Sequence, residues 1–239
     1  YSAMQQTALP PPPAAAATTR RGVSVARSGQ TRQALLDAAE RLFAERGVNW
    51  VSMREIVRES QQHNTSAALY HFGSREALIV AVVERRQAIV NAMRHQRIDE
   101  LEASGQGHDL RKVMTVAIEP LAECVRTTDW GARYAQIYSE LSQRPADSPE
   151  VQWHTGHLSS MLRFETLVQR CLPDLPPSVL QRRLRMLRNH TTYALSGWVR
   201  FNGPVTASNS VRFRREVEAL IDFMTAGVGA EHHPRPPQA

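Results

Sequence analysis

Apolar side chains recur at three- and four-residue intervals along most of this chain, and polar breaks separate the runs. Leu35, Ala38, Ala39, Leu42 and Phe43 line one face of a segment from Thr31 to Arg46, and Gly47 supplies the left-handed residue that ends it. A second pattern opens at Ser52, whose hydroxyl can accept the free amide of Glu55 while the Glu55 carboxylate reaches back as a capping box. Val51 and Ile56 are placed to close a hydrophobic staple around that start. Met53, Ile56 and Val57 give this short helix one buried side. The polar run from Ser60 to Asn64 then breaks it, and Asn64 can cap another short helix through His71. Small residues at 65–68 let this second helix sink into a groove. Ser74 caps a long helix reaching about Leu101, with Leu78, Val82, Ile89 and Met93 on one side.

Beyond Gly105 and Gly107 the spacing predicts helices at about 109–127, with Pro120 inside, then 130–143, 149–171, 177–201 and 209–227. Prolines at 145, 149, 173, 176, 177 and 204 fall where these should end or begin. The expected fold is all-α, in two parts: a three-helix module with a helix-turn-helix over residues 29–74 and a helical body over 75–227. Residues 1–28, with PPPP at 10–13 and AAAA at 14–17, read as a disordered basic tail, and residues 228–239 as a second loose tail.

The stretch from Val51 to Leu78 resembles the helix-turn-helix of the tetracycline-repressor (TetR) family of bacterial transcriptional regulators. The resemblance rests on Ser52, Arg54, Glu55 and Ile56, on the element YHFGSREAL from Tyr70 to Leu78, and on a preceding helix ending LFAERG at Leu42 to Gly47. Two departures stand out. The turn is one residue longer than usual, with Gln61 and Gln62 where a small residue is common, and Leu69 occupies the usual aromatic place before the His-Phe pair. The resemblance implies a cytoplasmic homodimer that binds a palindromic double-stranded DNA operator and is released by a small apolar or amphipathic effector, most simply a repressor. It also implies pairing of the last two helices with their copies into a four-helix bundle. Leu184, Leu187, Leu195, Val199, Val217, Leu220, Ile221 and Met224 are the apolar positions on those helices. An activator or protein-responsive regulator of the same fold is the alternative, with an enzyme or carrier built on a helical bundle behind it.

Charge sharpens this picture. The net charge is +6, and residues 20–75 hold nine arginines against five acidic residues, so most of the excess sits at one end. A basic module on a near-neutral body suits a protein that meets a polyanion with that end. Lys112 is the only lysine, a bias that reads first as genome composition. Arg20, Arg21 and Arg27 could form a basic arm into a minor groove. For base reading the pattern offers Asn64, Thr65, Ser66, Tyr70 and His71; for phosphates it offers Ser52, Arg54 and Arg75.

For the effector, Met114, Ile118, Trp130, Tyr134, Ile137, Trp153, Met161, Phe164 and Tyr193 are residues that an apolar pocket between bundle helices would use, and that a plain core would use equally. An enzymatic role finds little support. His154 and His157 follow Glu150 one helical turn apart, but no further ligand cluster joins them, and neither a glycine-rich phosphate loop nor a nucleophile elbow is present. Cys124 and Cys171 have no metal-like spacing and read as reduced core residues. No cofactor is expected, nor a secretory signal or a membrane-length apolar run.

Overall fold

A computed structural model describes residues 16–62, 65–144 and 159–233, with side chains in 16–27 and 65–67 excepted. Its described elements are α-helices: α1 (Ala16–Arg46), α2 (Met53–Glu59), α3 (Thr65–Phe72), α4 (Arg75–Ala103), α5 (Leu110–Thr127), α6 (Gly131–Leu141), α7 (Ser159–Cys171), α8 (Pro177–Asn202) and α9 (Ser210–Gly229), with a single 3-10 turn at Val48–Trp50.

The first helix begins at Ala16, well before the expected Thr31, so part of the anticipated tail is helical. Alanine has the best helix propensity, and no proline follows Pro13 until the helix has ended. Residues 1–15 and 234–239 lie outside the described residues, as does the expected start of the helix that is described from Ser159.

The small N-terminal module is built by packing α1 on α2, α3 and α4. Leu35, Leu36, Ala39, Phe43, Ile56 and Leu78 are all at most 1% exposed there. The 29 residues of α4 run on into the body, about 43 Å at 1.5 Å per residue. Its inner stripe is Val83, Gln87, Val90, Arg94, Ile98 and Leu101, all buried. Ile89, expected on that side, is exposed instead. The helix therefore carries two polar side chains, Gln87 and Arg94, into the protein interior.

In the body, α5 is the central helix and touches α4, α6, α7, α8 and α9, while α6 also packs on α8 and on α1. Pro120 sits inside α5, buried, and removes one amide donor from the preceding turn without ending the helix. The buried positions of α8 and α9, among them Leu184, Leu187, Leu195, Val217, Ile221 and Met224, pack inside this protomer. They are therefore not the outward face that would meet a second copy.

Candidate nucleic-acid interface and the cavity behind it

The geometry of α2 starts with its cap. The Ser52 hydroxyl accepts the Glu55 amide at 3.3 Å, and a Glu55 carboxylate oxygen accepts the Ser52 amide at 2.8 Å, so two otherwise free donors are satisfied. The backbone bond from Ser52, reinforced by its hydroxyl and by Arg46 and Arg58, holds the Glu55 carboxyl below its ordinary range. At the other end Gln61 takes φ 58, in the left-handed region. The Gln62 amide reaches Val57 O at 3.1 Å and the Gln61 amide reaches Arg58 O at 3.1 Å. This is a Schellman closure built on a glutamine where glycine is usual, and it accounts for the longer turn.

From that turn α3 emerges with Ala68 fully buried and Tyr70 83% exposed. Tyr70 meets His71 edge-on at 5.3 Å, and the Arg32 guanidinium lies over the Phe72 ring at 5.2 Å. Arg54 and Arg58 are exposed on α2, and among the described residues no carboxylate pairs with either. Tyr70 thus projects into solvent.

Arg75 behaves differently. Its guanidinium donates to the carbonyl of Val51 at 3.0 Å and to that of Val48, and it lies 5.9 Å from the centre of the Phe43 ring. Those bonds turn the side chain inward, so the expectation that Arg75 contacts phosphate is corrected: it fastens the start of α4 to the turn before α2.

Behind this module a cavity of about 60 Å³ opens between α4, α5, α6, α7 and α8. Val90, Leu121, Met161 and Leu187 give it apolar walls, and Gln87, Arg94, Tyr134, Tyr138, Arg188 and Thr191 give it polar ones. Burial pushes the phenols of Tyr134 and Tyr138 up from their ordinary range, which leaves both as neutral hydroxyls.

Helix α6 touches both regions. Tyr134 and Tyr138 face the cavity, while Arg133 donates to Glu40 of α1 at 3.2 Å. Glu40 is 1% exposed and also takes Arg86 at 2.8 Å and Arg85 of α4. Near the end of α6, Glu140 accepts the amide of Val48 at 2.8 Å, and Arg144 donates to Asn49 at 2.6 Å. Gly47, with φ 88, makes room for this: a Cβ there would stand 3.4 Å from Glu140 Oε2 on a backbone that side chains disfavour.

Two sequence profiles match the chain. The one described as bacterial regulatory proteins, tetR family, covers residues 35–82, and the one described as the tetracyclin repressor-like C-terminal domain covers residues 115–227. Together they span more than half of the sequence. The chain belongs to the TetR family of transcriptional regulators. Solved TetR-like structures agree on the fold. NalD of Pseudomonas aeruginosa, the secondary repressor of the MexAB-OprM multidrug efflux pump, is 23% identical with a TM-score of 0.56, over 84% of this chain and 97% of that one. A tetR-family transcription regulator from Shewanella sp. PV-4 is 17% identical with a TM-score of 0.55, over 81% and 95%. HlyIIR, a hemolysin II transcriptional regulator, is 19% identical with a TM-score of 0.52, over 82% and 99%. No curated protein sequence matches the chain.

Within this TetR fold the residues singled out from sequence separate into groups. Ser52 and Arg54 stand exposed at the start of α2, and at the end of α3 Tyr70 is exposed and His71 half-buried. Thr65 and Ser66 open α3, and Asn64 lies outside the described residues. Of the effector candidates, Tyr134 and Met161 line the cavity. Met114, Ile118, Ile137 and Phe164 are fully packed core, and Trp130 is buried against the Arg86 guanidinium at 4.8 Å. Tyr193 is corrected outright: it is 68% exposed on the outer face of α8. Trp153, His154 and His157 lie outside the described residues. The polar lining was missed, although Gln87 and Arg94 interrupting the apolar stripe of α4 were a legible signal for it.

Proposed function

We propose that this TetR-family regulator is a homodimeric repressor that binds a palindromic operator and is released when a small molecule enters the cavity behind α6. The observation that carries the reading is that one helix, α6, lines the cavity with Tyr134 and Tyr138 and grips the DNA-binding module through Arg133 and Glu140. The module over residues 29–74 reads DNA: Tyr70, His71, Asn64, Thr65 and Ser66 address base edges and backbone, while Ser52 and Arg54, joined by Arg58, address phosphates. The body over residues 75–227 senses and dimerises. Operator reading would place the protein in the cytoplasm, and the reading is non-enzymatic. No helix among the described residues is long and apolar enough to cross a membrane.

Dimerisation is supported by the outer face of α8 and α9. Met186, Tyr193 and Phe201 on α8 and Phe223 on α9 are all more than half exposed in the single chain. Met186, Tyr193, Gly197 and Phe201 follow helical spacing, and nothing lies within 4 Å of where a Cβ on Gly197 would stand, so a partner helix could approach closely there. A second copy would place two α3 helices about 34 Å apart, one turn of B-form DNA, which doubles the site that a single short helix can read. Repression is the simplest sign of regulation and is the one stated for NalD.

An effector shifts such an equilibrium only by binding the released form better. Movement of Tyr134 and Tyr138 would be carried by α6 to Glu40 and Val48, and so to the tilt of α4 and the spacing of the two reading helices. Sequencing genomic fragments captured by the purified protein tests the proposal. A recurring palindrome with half-sites one helical turn apart, lost with Tyr70→Ala while the protein stays folded, is the expected result. Absence of any sequence-selective duplex binding would remove it.

A further inference from the structure

Among the described residues the cavity holds a cation without an anion. Arg94 is 8% exposed, and its guanidinium donates only to neutral acceptors: Asn91 Oδ1 at 3.2 Å, the Ser160 hydroxyl at 3.1 Å and the carbonyl of Ala117 at 3.3 Å. Its Nε, buried, has no partner. Ala117 lies in the α5 turn that precedes Pro120. Among the described residues no carboxylate pairs with Arg94 or with Arg188, which lines the same cavity from α8, and no acidic side chain is among the lining residues. An arginine does not shed its proton at neutral pH, so the charge stays where water is scarce. Burial is the largest influence on this guanidinium and works against its charge.

Other groups in the cavity are also unfinished. The Thr191 hydroxyl and the Gln87 side-chain oxygen, both buried, lack partners and line the same space as Arg94. Buried polar groups are normally satisfied, and a cluster left open around one cavity marks the place of an absent partner. Glu40, the other buried charge among the described residues, is treated differently: it is met by three arginines.

We propose that the effector is a compact monocarboxylic acid whose carboxylate is held by Arg94, with Arg188 at its flank and the Tyr134 hydroxyl as a further donor, and whose apolar body lies against Leu121, Met161 and Leu187. A guanidinium presents a planar fork that matches a carboxylate with two parallel bonds. The size of the cavity, about 60 Å³, is well below the roughly 150 Å³ that takes a benzene ring and restricts the acid to a short aliphatic body. This rests on the cavity being the effector site, as proposed above, and names the class of molecule it takes.

The test is calorimetric titration of the full chain with acetate, propanoate and 2-methylpropanoate, and with the three corresponding primary amides, in Arg94→Gln, Arg188→Gln and unaltered protein. At least one acid is expected to bind while its amide does not. Arg94→Gln, folded by circular dichroism, should weaken that acid roughly ten- to hundred-fold, the usual range for a charge-assisted hydrogen bond. Should Arg94→Gln fail to fold, Arg188→Gln carries the test with a weaker loss in the same direction. Binding of none of the acids, equal binding of acid and amide, equal effect of inorganic phosphate, or undiminished acid binding in the variants would each overturn the proposal. Duplex binding measured on the same samples separates the two readings. Selective DNA binding without acid binding leaves the regulator and removes the acid, whereas acid binding without selective DNA binding does the reverse.

Discussion

The amide of Val48 donates to a carboxylate oxygen of Glu140 at 2.8 Å, across 92 positions of sequence. The carbonyl of the same residue accepts the Arg75 guanidinium, so one peptide is gripped from α6 on one side and from α4 on the other. Val48 is fully buried, so neither bond has water as a ready substitute. It is a point at which the body of the protein holds the turn that positions the reading helices.

Glu140→Ala should leave a buried amide without an acceptor, at a cost of about 1–3 kcal/mol. Urea unfolding measures that cost, and Glu140→Gln, which keeps an acceptor oxygen, should lose less. In the proposed mechanism the same substitution weakens the response to effector, read as the change in operator affinity with and without it. An unaltered response would show that the signal does not pass through this bond.

Arg75→Ala and Arg54→Ala should part company. Arg75 is occupied by two backbone carbonyls, so its loss should lower stability by about 1–3 kcal/mol and leave the salt dependence of DNA binding unchanged. Arg54 is exposed on α2, so its loss should leave stability within about 0.5 kcal/mol and reduce the salt slope by about one. Denaturation curves and binding isotherms from 50 to 200 mM salt check both, and a reduced slope for Arg75→Ala would return it to the DNA interface.

Tyr193→Glu and Gly197→Leu should yield a folded monomer, because both positions face outward from the single chain. Sedimentation velocity reads the mass and circular dichroism the helix content. Leu195→Ala, at a residue 2% exposed, should instead destabilise the protomer by about 2–5 kcal/mol. A dimer that survives both outer-face changes would place the interface elsewhere.

Acid should loosen α2 through Glu55. Its carboxyl is held below the ordinary range in the folded chain, chiefly by the Ser52 backbone bond. Its contribution is therefore complete above the ordinary glutamate range and is lost as pH falls through the lowered folded value. Amide exchange at Ser52 should rise over that interval in the unaltered protein and be high at every pH in Glu55→Ala.

Local patterns were readable wherever the chain's own neighbours along the sequence decide the outcome. The capping box at Ser52 and Glu55 and the Ser74 cap, bonded to the Ala77 amide at 3.0 Å, are short-range hydrogen bonds, and each formed as the residue types require. The lengthened turn was legible too, although its means, a left-handed Gln61, was not. Side-chain destinations were harder. Arg75 sits in a motif that invites a phosphate contact, yet carbonyls from Val48 and Val51, more than twenty residues away, claim its donors. Tyr193 and Leu195 are two positions apart on one helix and end on opposite sides, one solvent-facing and one in the core.

What the sequence determined alone is the succession of helices, their caps and the family-specific reading element, because periodicity and capping act within a turn or two of chain. What only the tertiary structure decided is which apolar face turns inward and which charges find partners. Burial and ion pairing depend on segments distant in sequence, and so it took the folded chain to surround Glu40 with arginines and, among the described residues, to give Arg94 only neutral acceptors.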